Sequence, residues 1–423
     1  MDAVSRSVFG ATAAVVQRAG QAVRRHRRDV LAGGRAVLRR KSWSAARLAA
    51  ALPLVLLVRL LRPIVCVRFG PLHSHRLGHF LGNTELYLCE REAHPSRRRT
   101  LDLFYHVPPI CNEQVKRMWE RLLPVWSFAR ALDRVSRRLP GSRAHIIPMP
   151  TDRDVHGLLA RSRAHLTFTA EETRRGETAL RVLGVPERIP FVCFHARDSA
   201  YLQDTFPNRS WGYHDYRDSS IHDYVPAAEE LVRRGYAAVR LGAVVKEPLA
   251  ADHPRIIDYA WNGRSDFLDV FLGARCRFAI CSATGVYAIP MAFRRPIAFV
   301  NYISLEHVPT WSAGDLCIPK RLWLRGGRRF LTFREIFHRG IGRFLRSVEY
   351  ERAGIEPVEN TPEEITALAV EMDERLEGTW QPDQEDEELQ QRFWALFPAS
   401  ETNQIFRLRI GAAFLRQHRR LLE

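Results

Sequence analysis

A histidine and an arginine two residues apart, His195 and Arg197, stand at the end of the apolar run Phe191-Val192-Cys193-Phe194, with Asp198 next. Residues i and i+2 just past a strand can face the same side, so imidazole and guanidinium could reach one anionic group. Arg240 and Gly242 end a second apolar run. Asp258 and Arg264 follow a third, Ser282, Thr284 and Gly285 a fourth, and Asn301 a fifth. Small hydroxyl residues at a helix start suit a phosphate, because the unpaired N–H groups there point outward. Arginine suits it too, since its planar fork donates two parallel hydrogen bonds to phosphate oxygens. The set has the chemistry of a site for a diphosphate-linked ligand, such as a nucleotide sugar. Each member also has a plainer reading. Asp258 and Arg264 could hold a base or ribose, or cap the next helix. Ser282 and Thr284 are favoured cap residues in any helix. His195 and Arg197 could be a structural salt bridge.

The elements that must position these groups alternate strand and helix, the order of a parallel sheet with crossover helices. Strands are predicted at 191–195, 237–241, 255–259, 278–281 and 296–300. Helices are predicted at 221–234, ended by Gly235, at 267–272 with Ser265 or Asp266 as cap, and at 286–293. Ligands of such sheets bind beyond the carboxyl ends of the strands. A second α/β unit begins at Pro63. It has a strand at 64–69 ended by Gly70-Pro71, and the loop His73–His79 leading into a helical pattern with Phe80, Leu81 and Thr84. Further strands are predicted at 87–89, 101–105 and 145–148, and helices at 112–123, 129–138 and from the Thr169 cap to Leu183. The expected division is a basic extension (1–62), an N-terminal Rossmann-like acceptor domain (63–185) and a C-terminal Rossmann-like nucleotide-sugar domain (186–345). Residues 186–190 are the expected linker, and C-terminal helices (346–423) pack back across both domains. After Asn301 the pattern loosens. Trp311, Trp323 and 324–329 read as a loop over the sheet edge, and 332–344 and 361–377 as helices. The acidic run 381–388 reads as solvated and 405–422 as a final amphipathic helix.

The chain has 423 residues, of which 46% are apolar, so a large core is expected. Its net charge of +17 is a statement about partners: anionic lipid, acidic glycans, nucleic acid and nucleotide sugars all fit. Seven scattered cysteines without a C-x-x-C read as buried reduced thiols of a cytosolic protein, and no His/Cys metal cluster is evident. Residues 1–62 are rich in arginine, and the apolar run 49–58 contains Pro53. A spanning helix needs about 20 residues, so none is expected there. A secretory signal is not expected either, because the run starts too late and lacks a cleavage site. Basic amphipathic helices lying on the inner face of the cell membrane are the functional reading of this stretch. The plain alternative is a basic leader or a helix packed on the core. The D-x-D at Asp152-Arg153-Asp154 matches a metal-diphosphate motif by a short pattern that also arises by chance. There is no Walker A loop, H-E-x-x-H, G-x-S-x-G or G-x-G-x-x-G, which argues against an NAD enzyme.

These residues resemble a bacterial family assigned as glycosyltransferases, found in gene clusters for surface-polysaccharide assembly. The resemblance runs from about Cys66 to the last helix. It rests on Arg68-Phe69-Gly70, Gly78-His79-Phe80, Asn83-Thr84-Glu85-Leu86-Tyr87 and Phe194-His195-Ala196-Arg197-Asp198-Ser199-Ala200-Tyr201. Tyr216-Arg217-Asp218, Val239-Arg240-Leu241-Gly242, Asp258-Tyr259-Ala260, Arg264–Asp269 and Ile289-Pro290 complete it. More distantly, His195-x-Arg197 is similar to the H-x-R element of fucosyltransferase-like enzymes with two facing Rossmann-like domains, the GT-B fold. The resemblance implies an arginine on the donor diphosphate, helped by a hydroxyl-rich turn. Ser282 and Thr284 match that turn and Ala283 interrupts it. It also implies transfer without a metal or other cofactor, to a glycan or lipid-linked acceptor. Asp198, His79 and Glu85 are the candidate bases, because deprotonating an acceptor hydroxyl needs a carboxylate or imidazole within reach. The competing readings are a non-catalytic basic protein on anionic membrane or nucleic acid, the latter not the expected partner, and a sugar-nucleotide epimerase.

Overall fold

The computed structural model describes residues 39, 42, 43, 46–96, 98–150, 153–205, 207, 208, 210–309, 311–398 and 408–423. In chain order the elements begin with α1 (46–60), β1 (Cys66–Leu72), α2 (Leu77–Ala93) and β2 (Thr100–His106). There follow α3 (Glu113–Leu122), α4 (Ala129–Ser136), α5 (Ala170–Val182), β3 (Phe191–His195) and α6 (Ala200–Thr205). Next come α7 (Val225–Arg233), β4 (Ala237–Arg240), β5 (Ile256–Ile257), α8 (Asp266–Arg275), β6 (Ala279–Cys281), α9 (Ala288–Ala292) and β7 (Ile297–Tyr302). Then come β8 (Leu316–Pro319), β9 (Arg321–Leu324), β10 (Arg329–Phe330), α10 (Phe333–His338), α11 (Ser347–Arg352) and β11 (Ile355–Val358). The chain ends with α12 (Pro362–Glu377), α13 (Gln384–Leu396), β12 (Arg409–Ile410) and α14 (Ala412–Gln417).

Seven strands form one parallel sheet in the order β12-β8-β7-β6-β3-β4-β5. Every residue of β3, β4, β6 and β7 is buried. A strand covered on both faces needs no polar alternation, which is why these runs are apolar throughout. From β3 the chain builds outward to β4 and β5, then returns to β6 on the other side. The β3/β6 boundary is therefore the place where strand order reverses, the usual ligand crevice of such a sheet.

The described residues fall into two units. One lies within 1–71, 97–105 and 124–147, the other within 72–96, 106–123 and 148–423. Residues 186–190 lie inside the second. The expectation of a full sheet in the first half is not met. Among the described residues β1 and β2 form a two-stranded sheet, extended by single parallel bridges from Phe69 to Ile146 and from Phe104 to Val125. Residues 87–89 are not a strand: they continue α2, buried at every position from Phe80 to Cys89. A helix buried on every side need not show an amphipathic period, so its short apolar runs read as strand. Gly70 and Pro71 lie within β1 rather than ending it, and 142–145 is a 3-10 turn ahead of the Ile146 bridge.

The C-terminal third departs from expectation in a similar way. Residues 311–330 supply β8, β9 and β10 rather than a loop, and β9 pairs antiparallel with β10 and β11. The acidic run 381–388 starts α13 with a capping box from Asp383 to Asp386, and Asp386 is buried. The expected helix over 405–422 is instead β12 at the sheet edge, then α14; residues 405–407 lie outside the described residues. Helix starts were more legible. Asn112, Thr169, Ser265 and Thr361 each accept the backbone N–H expected of a cap.

Gly176 in α5 tests the packing. A Cβ there would lie 2.2 Å from the ring of Phe271 in α8. Glycine to alanine inside a helix ordinarily stabilises by about 1 kcal/mol. Here overpacking, typically about 1–3 kcal/mol, should reverse the sign. Gly176→Ala is expected to lower the urea midpoint; a raised midpoint would show that α5 is not seated on α8.

Candidate active site

A cavity of about 620 Å³ opens at the carboxyl ends of β3 and β6, lined entirely by residues of the second unit. That volume suits a small-molecule ligand. Two glycines set its rim. A Cβ on Gly78 would lie 3.3 Å from Gly285 Cα, and one on Gly285 would lie 3.1 Å from Gly78 N. The loop before α2 and the turn after β6 thus meet backbone to backbone, an approach that side chains would crowd.

His195 ends β3 level with Cys281 and lines the cavity. Its Nδ1 donates to Leu241 O at 2.9 Å, since a carbonyl can only accept, which leaves Nε2 without the proton. Burial pushes its pKa down to about 4, and Arg240 and Arg197 push the same way. The ring is a neutral acceptor. Arg197 also lines the cavity. Its backbone N–H donates to Ser282 Oγ at 2.8 Å, and its Nη1 donates to His214 O at 3.3 Å and pairs with Asp218. Burial, then Arg217, brings the Arg197 pKa down to about 10.

Other expected residues divide sharply. His79, Asp198, Gly242, Arg264, Thr284 and Gly285 line the same cavity. His79 Nδ1 lies 3.4 Å from Asn83 Oδ1. Asp198 accepts from Ala200 N at 2.9 Å and Lys246 N at 3.0 Å, so it also ties two loops together. Arg264 is committed to Asp266 and Asp269, at 2.8 and 2.7 Å. Burial raises Asp269 to about 6. Gly242 is explained by crowding: a Cβ would meet Val245 Cγ1 at 2.6 Å.

Five expected residues are corrected. Ser282 is fully buried and spends its hydroxyl on the Arg197 backbone, not on a ligand. Arg240 sits within β4, level with Phe194, and donates to Glu247 O at 2.8 Å and to Asp258 at 3.2 Å. Asp258 in turn accepts from Leu249 N at 2.7 Å. These two residues brace the loop after β4 and do not line the cavity. Glu85 is fully buried away from it, bonded to Arg294 and His165. Thr284 lines the cavity, but its Oγ1 accepts locally from Val286 N, and α9 begins only at Ala288.

Sequence reasoning passed over Arg76, Arg153 and His214, and left Arg217 undecided. All four line the cavity, where five arginines (76, 153, 197, 217, 264) face two aspartates (198, 269). Burial, then Arg217, Arg197 and Arg76, lower the His214 pKa to about 4, so these guanidinium groups crowd one imidazole. His75 Nδ1, His214 Nδ1 and Arg217 Nε are buried without a hydrogen-bond partner. Of the D-x-D, Asp152 lies outside the described residues, and Asp154 accepts from Leu158 N and Leu159 N at 2.8 Å each.

Contrary to the sequence reading, Glu85, Cys89 and His165 bring three metal-ligand atoms within 4.8 Å of one another. The Arg294 guanidinium already stands among them, 2.7 Å from Glu85 Oε1 and 3.6 Å from Cys89 Sγ.

Neither a protein-family model nor a curated protein sequence matches the chain. Solved structures do show likeness. The Escherichia coli ADP-heptose lipopolysaccharide heptosyltransferase II matches at 13% identity and TM-score 0.36, over 60% of this chain and 90% of that one. A family 9 glycosyl transferase from Veillonella parvula matches at 12% and 0.33, over 55% and 79%. The iron-containing dodecameric glycosyltransferase TibC from enterotoxigenic E. coli matches at 14% and 0.30, over 58% and 60%. Scores this low decide neither the fold nor the activity.

Proposed function

We propose that this protein is a glycosyltransferase that moves a sugar from a nucleotide-sugar donor to a glycan or lipid-linked acceptor of the cell surface. The observation that carries the reading is the convergence of Arg76, Arg197 and Arg217 around His214 in one cavity, where the buried Arg217 Nε lacks an acceptor. A diphosphate supplies both the negative charge and the acceptors. The acceptor hydroxyl oxygen attacks the anomeric carbon, the bond from that carbon to the diphosphate oxygen breaks, and the diphosphate departs with the electron pair. Fixed guanidinium groups stabilise the charge that develops on it. The hydroxyl proton goes to an imidazole or carboxylate at the cavity, with His79 and Asp198 the candidates and His195 Nε2 a third. In this scheme the arginines carry the charge neutralisation and no metal is written into the step. In this reading the donor belongs with residues 186–345 and the acceptor with 63–185.

Thermal melting with UDP, GDP, ADP and inorganic pyrophosphate tests this. A ligand at a hundred times its Kd adds about 2.7 kcal/mol to stability. At least one nucleoside diphosphate and pyrophosphate should raise Tm. No shift with any of them overturns the reading. Product analysis without acceptor separates transfer from epimerisation, which would alter the sugar alone.

A further inference from the structure

Helix α1 buries Ala51 and Val55 completely, yet turns a second apolar face outward. Leu52, Leu56, Leu57 and Leu60 recur at helical spacing, and Leu61 and Ile64 continue the stripe past the helix end. Their exposures run from 37% at Leu61 to 77% at Leu60. A row of exposed leucines of this kind commonly marks a binding surface. The charge around it is one-sided. Through 46–71, 98–105 and 124–147 the only carboxylates are Asp102 and Asp133. Both are buried, Asp102 against Arg68 at 2.6 Å and Asp133 against Arg137 at 2.8 Å. Arg47, Arg62, Arg99, Arg134, Arg138 and Arg143 are exposed in the same unit. Arg59 donates to Pro140 O and, at 3.1 Å, to Ser136 O, which seats the end of α1 against the end of α4 and its arginines.

We infer that this face is a docking surface for a bilayer leaflet rich in anionic phospholipid. The leucines enter the boundary between headgroups and acyl chains while the arginines meet lipid phosphates. Nucleic acid would satisfy the arginines but gives a row of leucines nothing to bury against. No helix among the described residues is long and apolar enough to cross a membrane, so contact is from one side. Sequence pointed to basic amphipathic helices of residues 1–62 on the membrane; the surface here extends beyond that stretch. It is built by segments far apart in the chain, and part of its charge selectivity comes from hiding both aspartates. It lies wholly in the unit that does not line the cavity, so it stands or falls independently of the proposed transferase activity.

The test is co-sedimentation of the full chain with vesicles of phosphatidylcholine alone and with added phosphatidylglycerol, at low and high salt. Binding should require the anionic lipid and weaken with salt. Leu56→Glu with Leu60→Glu should reduce it by roughly tenfold or more, while nucleoside diphosphates still raise the Tm of this variant as in the parent. Absence of binding to anionic vesicles, or equal binding by the variant, overturns the inference. So does a concentration-dependent increase in mass that the variant abolishes, which would assign the face to a second copy. A lower Tm of the variant in vesicle-free buffer would likewise overturn it, because the chain's own residues would then cover the face.

Discussion

Arg197→Ala is expected to lower donor use by roughly one to two decades, because a hydrogen bond to a charged group contributes about 1.5–3 kcal/mol. The fold should survive. Asp218, its ion-pair partner, has a side chain 28% exposed and can turn to water once the guanidinium is gone. The loop geometry rests on the Arg197 backbone N–H to Ser282, which the substitution keeps. Arg197→Lys retains charge but not the planar fork, so it should fall between parent and alanine. A second readout separates a direct role from general damage. Arg197 is among the groups holding His214 at about 4, so its loss should raise that pKa, visible by NMR. Unchanged transfer, with His214 shifted, would mean that the arginine is present at the cavity without serving the donor.

The central sheet was legible because β3, β4, β6 and β7 are buried on both faces, so each appears as an uninterrupted apolar run between turns. Of the residues placed at strand ends, His195, Arg197, Thr284 and Gly285 line the cavity. The same rule failed for Arg240 and Asp258. Sequence gives a residue's distance from a strand end, not what will satisfy its charge, and the loop back from β4 supplied Glu247 O and Leu249 N. Arg76, Arg153 and His214 sit in connections outside the β-α-β alternation, where no period marks a side chain as inward. The sheet of the first half was overestimated because α2 is buried on every side from Phe80 to Cys89, so its pattern shows no outward polar face.

Glu85→Ala is expected to cost about 3–5 kcal/mol of stability, the range for breaking a buried ion pair from one side. Glu85 is fully buried, and its Oε1 lies 2.7 Å from Arg294 Nη2 and 3.0 Å from His165 Nδ1. Removing it leaves a guanidinium and an imidazole together with no carboxylate between them. Burial alone would lower the His165 pKa, but its bonds to Cys89 and Glu85, with Glu92 at 3.0 Å, outweigh that and raise it to about 10. A folded pKa above the unfolded value of about 6.5 stabilises fully below that value, and the contribution is lost as pH rises toward 10. The parent should therefore lose stability across that window, and Glu85→Ala should flatten the slope as well as lower the whole curve. Glu85→Gln keeps one acceptor without the charge and should be milder. Urea midpoints measured across the window decide the matter. An alanine variant with parental stability but no nucleoside diphosphate response would return Glu85 to the ligand site; a destabilised variant that still responds confirms it as the buried anchor between α2 and Arg294.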